Sequence, residues 1–454
     1  MSSPRSTLLW GVLVPPLVAL YFVYTLQLHV IVPELTDIKE YPGLFLKVFF
    51  YVFKPPLGSA GYEDLFQKIR SGDTREPFVR HVVAVGDLHG DLPNARKVLQ
   101  FSGVTDDFGN WTGHADFFVQ TGDIIDRGDD TIALFDWMDA LRGQAAATGG
   151  SVLTHLGNHE WMNVIGVSEL KAFSTVIIFT TFATGDWRYV YPTEIKTFGT
   201  SAARQKMLST GRIGRSWAMN YTTTSRLPLH PSLGPPNTPF PPESKELHYQ
   251  KEDSELDISY YYSTNEPLSH SAISFVHGGL SPTYGGLTPF PSRINELSDS
   301  LLRKLQHRVQ PPPHPPNRYP GLPLSATQAE IELYQANGPL WYRGWATDPE
   351  EKVCVDVEKV LAKTGTRRMV MGHTPDFEGI VARCSGKIII IDTGISHAYG
   401  GVLSALSIHY TLTPVGNHEE QRWVEKEVVS ALYPDRQEVL VVDEREVVGD
   451  FRAS

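Results

Sequence analysis

Three segments of this chain share one construction, and their spacing restricts the folds open to it. His81-Val82-Val83-Ala84-Val85 runs into Gly86-Asp87-Leu88-His89-Gly90-Asp91. Phe117-Phe118-Val119-Gln120 leads to Gly122-Asp123-Ile124-Ile125-Asp126-Arg127-Gly128, and Ser151-Val152-Leu153-Thr154-His155-Leu156 to Gly157-Asn158-His159-Glu160. Each is an apolar run of strand length stopped by glycine and a polar residue, the pattern of a buried strand turning sharply into a loop. Asp87, Asp123 and Asn158 stand 36 and then 35 residues apart, and a βαβ unit takes roughly 30 residues or more. The spacing predicts three successive parallel strands in an α/β fold. They deliver Asp, His, Asp and Asn to the carboxyl edge of one sheet, where such folds place their ligands.

Three more strand patterns end the same way. They are Ala272-Ile273-Ser274-Phe275-Val276 before His277-Gly278-Gly279-Leu280, Arg368-Met369-Val370-Met371 before Gly372-His373-Thr374-Pro375, and Lys387-Ile388-Ile389-Ile390-Ile391 before Asp392-Thr393-Gly394. A single Asp or His at a strand end is ordinarily a cap or a turn former. Gly-Asn-His-Glu itself recurs at Gly416 to Glu419, after Thr413-Pro414 and with no helix pattern behind it, and that copy reads as a turn without chemistry. The turns taken together differ, because independent caps would not share one strand-then-glycine context and supply a full ligand set.

Imidazole and oxygen ligands without thiolate suit Mn, Fe or Zn rather than Ca or a structural zinc site. We assign Asp87, His89 and Asp123 to one ion and Asp123, Asn158, His277 and His373 to a second, the Asp123 carboxylate bridging the two. Such a pair activates a water, orients phosphate oxygens and stabilises an in-line displacement. His159, beside Asn158, is placed to protonate the leaving oxygen, and Asp126 to hold that imidazole protonated. Substrate binding falls to Arg127, Asn158 and Arg343, since arginine forks onto phosphate where lysine is a poor substitute. His81, His114, His155 and His397 read as structural, with His397 able to support the site from behind.

The rest of the chain sets the context. Lys+Arg 40 against Asp+Glu 51 gives a net charge of -11, which speaks against nucleic acid as a partner. Two cysteines, Cys354 and Cys384, cannot make a disulfide framework or a thiolate metal site. They can pair once or stay as buried apolar residues, and the reading favours buried thiols. Leu8 to Val32 contain no Asp, Glu, Lys or Arg, long enough for a membrane anchor, with a cleaved signal as the alternative. Arg5 precedes the segment and acidic residues follow it, which places the catalytic portion in the lumen of the secretory pathway, single-pass. The sequons Asn110-Trp111-Thr112 and Asn220-Tyr221-Thr222 are consistent with that.

The expected organisation is an anchor or signal segment over 1–33, a juxtamembrane linker over 34–80 and a catalytic domain over 81–415. A tail over 416–454 follows, alternating and strand-rich from about Gln421. Pro-rich tracts near 222–248 and 310–323 cannot hold helix or central strand and are expected as exposed insertions.

The blocks Gly-Asp-Leu-His-Gly-Asp, Gly-Asp-Ile-Ile-Asp-Arg-Gly, Gly-Asn-His-Glu, His-Gly-Gly-Leu and Gly-His, in this order, resemble the phosphoprotein phosphatase branch of the calcineurin-like metallophosphoesterases. Gly338-Pro339-Leu340-Trp341-Tyr342-Arg343-Gly344 and Ile391-Asp392-Thr393-Gly394-Ile395 look like its Shewanella-like, bacterial-type subgroup. The resemblance implies a central β-sandwich flanked by helices, two metal ions, a phosphorylated protein as substrate, and the ligand and acid roles assigned above. A phosphatase of small molecules or nucleotides, of the dinucleoside polyphosphate type, is the alternative, and a non-catalytic lumenal binding protein on the same fold is a second.

Overall fold

Alternation along the strands sorts the core into layers. In β1 (Phe78–Val85) Val82 and Ala84 join one apolar cluster, while Val83 and Val85 join another. This is the period of two that a strand buried on both faces requires. The computed structural model describes residues 75–165, 189–242, 267–307, 322–416 and 420–451. Contacts divide the chain into two units, Met1–Arg75 with Val415–Arg422, and Glu76–Pro414 with Trp423–Ser454; the sheets and the site belong to the second.

After β1 the chain runs through α1 (Leu92–Phe101), β2 (Phe117–Gln120), α2 (Thr131–Ala147), β3 (Ser151–His155) and α3 (Asn158–Ile165). Short helices α4 (Pro192–Phe198), α5 (Ser201–Ser209) and α6 (Arg212–Asn220) lead to β4 (Tyr221–Thr222). β1, β2 and β3 pair in parallel, as the spacing predicts, and β4 extends them in the same sense. On the other side of β1 lies β10 (Ala405–Val415), antiparallel to it, then β11 (Arg422–Leu432) and β12 (Gln437–Val448). The stretch after Gln421 thus supplies the outer strands of a seven-stranded sheet.

A second sheet has the order β5 (Thr224–Pro228), β6 (Ala272–Val276), β7 (Arg368–Met371), β9 (Ile388–Ile390), β8 (Val381–Arg383). β6, β7 and β9 are parallel, and the two edge strands are antiparallel to their neighbours. Val82, Ala84, Val119, Ile408 and Tyr410 of the first sheet share an apolar cluster with Ile273, Phe275, Val370 and Ile389 of the second. The other faces, among them Val83, Phe118, Met369 and Ile390, share a cluster with helix residues such as Leu134, Met138, Val357 and Leu361. Two sheets face each other and helices cover them, as in the resemblance. Helices α7 (Ser292–His307), α8 (Gln328–Leu333), α9 (Gly344–Thr347) and α10 (Glu350–Thr364) complete the unit.

Two expectations are corrected. Thr224–Pro228, read as part of an exposed Pro-rich insertion, is a strand buried along its whole length. Its edge position explains this, because Pro228 there can end a ladder without donating to it. Cys354 and Cys384, read as buried thiols, form a disulfide with Cα atoms 5.2 Å apart. The turn between β8 and β9 lies against α10, where Glu350 accepts from the Cys384 backbone N–H and from Arg383; a separation of 30 residues carries no sign of that contact. The anchor segment, residues 243–248 of the first Pro-rich tract, 310–321 of the second, and 417–419 of the second Gly-Asn-His-Glu lie outside the described residues. No helix among the described residues is long and apolar enough to cross a membrane.

Candidate metal centre

The carboxyl ends of both sheets contribute to one buried cluster. Asp87 and His89 follow β1, Asp123 and Asp126 follow β2, and Asn158 and His159 open α3 after β3; His277 follows β6 and His373 follows β7. These eight side chains are between 0% and 5% exposed. Packing them so closely requires unusual backbone. His89, Asp123, Asp126, Arg127 and His373 all have positive φ, from 42° to 69°, a left-handed conformation that costs non-glycine residues energy and clusters at functional sites. Gly122, at φ 101°, and Gly157 let the turns after β2 and β3 touch, and a Cβ on Gly157 would collide with the Asp123 carboxylate.

Hydrogen bonds fix where the lone pairs point. The Nδ1 atoms of His89 and His277 lie 3.0 Å from the carbonyl oxygens of Ile125 and Thr121. Each therefore carries the proton and donates there, which leaves Nε2 as an acceptor. His277 Nε2 is 2.8 Å from Asn158 Oδ1 and 3.3 Å from Asp123 Oδ2. His89 Nε2 is 3.8 Å from Asp123 Oδ2 and 3.9 Å from Asp87 Oδ2. His373 Nε2 is buried with no hydrogen-bond partner. Acceptors converging in this way fit cations, and two groups of ligand atoms, His89/Asp123/His159 and Asp123/His277/His373, share Asp123. The donor set contains no thiolate, which suits Mn, Fe or Zn.

Electrostatics follow the same geometry. Burial, reinforced by Asp392 and Asp123, pushes the Asp87 carboxyl well above its ordinary range. Burial also opposes the Asp123 charge, but His277, His159 and His89 hold that carboxyl well below it. Burial lowers His89 to about 3 and, with His277 and Arg343, holds His373 well down, so both imidazoles stay neutral as ligands must. His159 runs the other way: burial lowers it, yet Asp123 and Asp126 raise it overall.

The remaining predicted residues surround this cluster. His159 Nδ1 is 2.8 Å from Asp126 Oδ2, and its Nε2 is 3.8 Å from Asp123 Oδ2. The Arg127 guanidinium lies over the Tyr189 and Tyr399 rings, at 4.4 and 4.7 Å from their centroids. Arg343 is exposed and donates from Nη1 to the His373 carbonyl at 2.8 Å and to Thr374 Oγ1 at 3.0 Å. Of the other histidines, His155 is a satisfied core residue, bonded to the Gln120 carbonyl and Ser225 Oγ. His397 bonds the Asp91 carboxylate and none of the side chains of the cluster.

Several residues of the site were not assigned from the sequence. Glu160 accepts backbone N–H groups of Asp123, Ile124 and Gly157 at 2.7–2.9 Å and so fixes both glycine turns; burial, with the Asp123 charge, pushes it up to about 7. Asp392, after β9, is raised to about 6 by burial, and its strand-then-turn context carried the signal. Asn163, Glu194 and Arg204, which surround Asp126, carried none.

A model of the family described as calcineurin-like phosphoesterase matches residues 80–229. The chain is 32% identical over 332 residues to an uncharacterized protein of Schizosaccharomyces pombe, covering 72% of this chain and 76% of that one. It is 26% identical to Shewanella-like protein phosphatase 2 of Arabidopsis thaliana, over 71% of this chain and 73% of the relative. Shewanella-like protein phosphatase 1 of Plasmodium berghei is 22% identical over 69% and 67%. Among solved structures, that of a mutant cold-active protein tyrosine phosphatase aligns with a TM-score of 0.51 and 20% identity, covering 80% of this chain and 81% of that one, a likeness of fold.

Proposed function

We propose that this chain, which belongs to the calcineurin-like phosphoesterase family and within it to the Shewanella-like protein phosphatases, hydrolyses phosphomonoesters on proteins. The observation that carries the reading is the convergence of imidazole, carboxylate and amide acceptors on Asp123, with His159 and two arginines beside them. Asp87, His89 and Asp123 would hold one divalent cation, and Asp123, Asn158, His277 and His373 a second. When bound, the ions supply positive charge to the phosphate oxygens and lower the pKa of an attacking water.

The chain's own residues supply the rest. Arg127, held against the Tyr189 and Tyr399 rings, and Arg343, tied to the His373 loop, present guanidinium N–H groups to the phosphate. Asp126 accepts from His159 Nδ1, so Nε2 faces the cluster. A new P–O bond forms to the water oxygen as the ester P–O bond breaks, His159 gives its Nε2 proton to the departing side-chain oxygen, and the proton that the water loses goes to solvent, from which His159 is recharged. Burial of the cluster keeps these charges in a medium where each counts for more than in bulk water.

The test strips the full chain of metal, reloads it with Mn, Fe or Zn, and assays phosphoserine, phosphothreonine and phosphotyrosine peptides beside a dinucleoside polyphosphate. Metal-restored turnover on a peptide is expected. Turnover confined to the nucleotide would transfer the same site to small-molecule substrates, and silence on all four with metal bound would leave a binding protein.

The Cys354–Cys384 disulfide supports an oxidising compartment for this domain. Together with the uncharged stretch Leu8 to Val32, it is the basis for placing the enzyme on a membrane, facing the lumen. Retention in the pellet after alkaline extraction would be the expected result, and release would overturn the anchor.

A further inference from the structure

The Asp126 carboxylate is held by more than the imidazole it serves. Oδ2 accepts from His159 Nδ1 at 2.8 Å and from Asn163 Nδ2 at 2.9 Å, while Oδ1 accepts from Arg204 Nη2 at 2.7 Å. Arg204 Nη1 also donates to Asn163 Oδ1 at 2.6 Å. That bond settles the Asn163 amide, because with its oxygen turned to the guanidinium its nitrogen must face Asp126. The same Nη2 reaches Glu194 Oε1 at 3.1 Å, and Thr131 Oγ1 donates to that carboxylate at 2.7 Å. Arg204 is 2% exposed and Glu194 0%.

A guanidinium and two carboxylates taken out of water are an inefficient way to hold α4 and α5 in place, since apolar residues of similar volume commonly do as well or better. What this arrangement gives is control of one side chain. Asp126 is wholly buried, and burial alone would favour its neutral form. A neutral or rotated Asp126 would no longer accept from His159 Nδ1, and the ring would lose the bond that aims Nε2 at the reacting phosphate. Glu194 and Thr131 in turn fix the guanidinium from its far side.

We infer that Arg204, acting through Asp126 and Asn163, is a positioning residue for the proton donor His159. The inference rests on the reading of His159 as general acid. It assigns catalytic weight to a residue 78 positions from Asp126 in sequence, on a helix that carries no other residue of the site.

The test is the leaving-group dependence of kcat in the metal-loaded full chain, with metal content measured for every variant. Arg204→Lys keeps the charge and loses the fork. It is expected to lower kcat on aryl phosphates with poor leaving groups by about tenfold, a fraction of what a general acid contributes, and by less than about twofold on p-nitrophenyl phosphate. On a His159→Asn background the same substitution should cost nothing further, because residues acting as one unit are not additive. Asn163→Ala removes a smaller group and should show the same selectivity at about threefold, so the question has an answer even where Arg204→Lys fails to fold. A loss equal across leaving groups, or one that adds in full to His159→Asn, would make Arg204 merely structural and overturn the inference. A His159→Asn variant that itself shows no leaving-group selectivity would instead remove the acid role on which it rests.

Discussion

Buried charge occurs at both ends of β7, and the two ends behave differently. At its amino end Arg367 and Arg368 meet Glu425 and Glu427 of β11 and Asp443 of β12: Glu427 lies 3.1 Å from Arg367 Nη1 and 2.9 Å from Arg368 Nε, and Glu425 also pairs with Arg445. Burial opposes these charges, yet Glu425 is held below its ordinary range by Arg367, and Arg367 above its own by Glu427 and Glu425. Every acid has a base, and none of these residues has positive φ. At the carboxyl end, acceptors face acceptors, Asp87 is pushed up by burial and by its acidic neighbours, and His373 Nε2 has no hydrogen-bond partner. Burial of charge does not distinguish a site from a clamp. Whether the charges satisfy one another does.

That contrast can be broken at several points. Asp123→Asn should bring turnover to background and lower bound metal, both read on one preparation; full metal and normal turnover would remove Asp123 from the centre. His159→Asn should keep metal and lose about 10²- to 10⁴-fold in kcat with poor leaving groups, and a uniform loss would argue against proton donation. Arg343→Ala should weaken inhibition by inorganic phosphate about tenfold, the worth of a charge-assisted hydrogen bond; an unchanged inhibition constant would take Arg343 out of the site. Glu427→Gln, at the paired end, should lower unfolding stability by about 3–5 kcal/mol in denaturant titration while kcat per folded molecule stays unchanged. A change in kcat there would mean that the two ends of β7 are coupled.

The strand ends were legible because each rests on local pattern. An apolar run, a glycine and a polar residue recur at βαβ spacing, and the parallel order of β1, β2 and β3 follows from that alone. Asp87, His89, Asp123, Asn158, His277 and His373 are brought together as their contexts suggested. What stayed hidden depends on contacts far apart in sequence. Arg204 lies on a short, mostly polar helix, and nothing in Ser201–Ser209 indicates that it reaches Asp126. The Cys354–Cys384 pair depends on where the β8–β9 turn meets α10. Thr224–Pro228 was misjudged because proline content signals the absence of a ladder donor, which an edge strand does not need.

The pairing of β1 with β10 has a consequence for the order of events at the ribosome. Asp87, Asp123 and Asn158 emerge early, whereas His277 and His373 follow much later, on the order of tens of seconds at ordinary elongation rates. Until Ala405–Val415 emerges, the inner edge of β1 has no neighbour, and an exposed strand edge invites pairing with another chain. A nascent chain therefore passes through a stage with half of the candidate centre and an open sheet. A cation that needs ligands from both halves of the cluster would be held only after that stage.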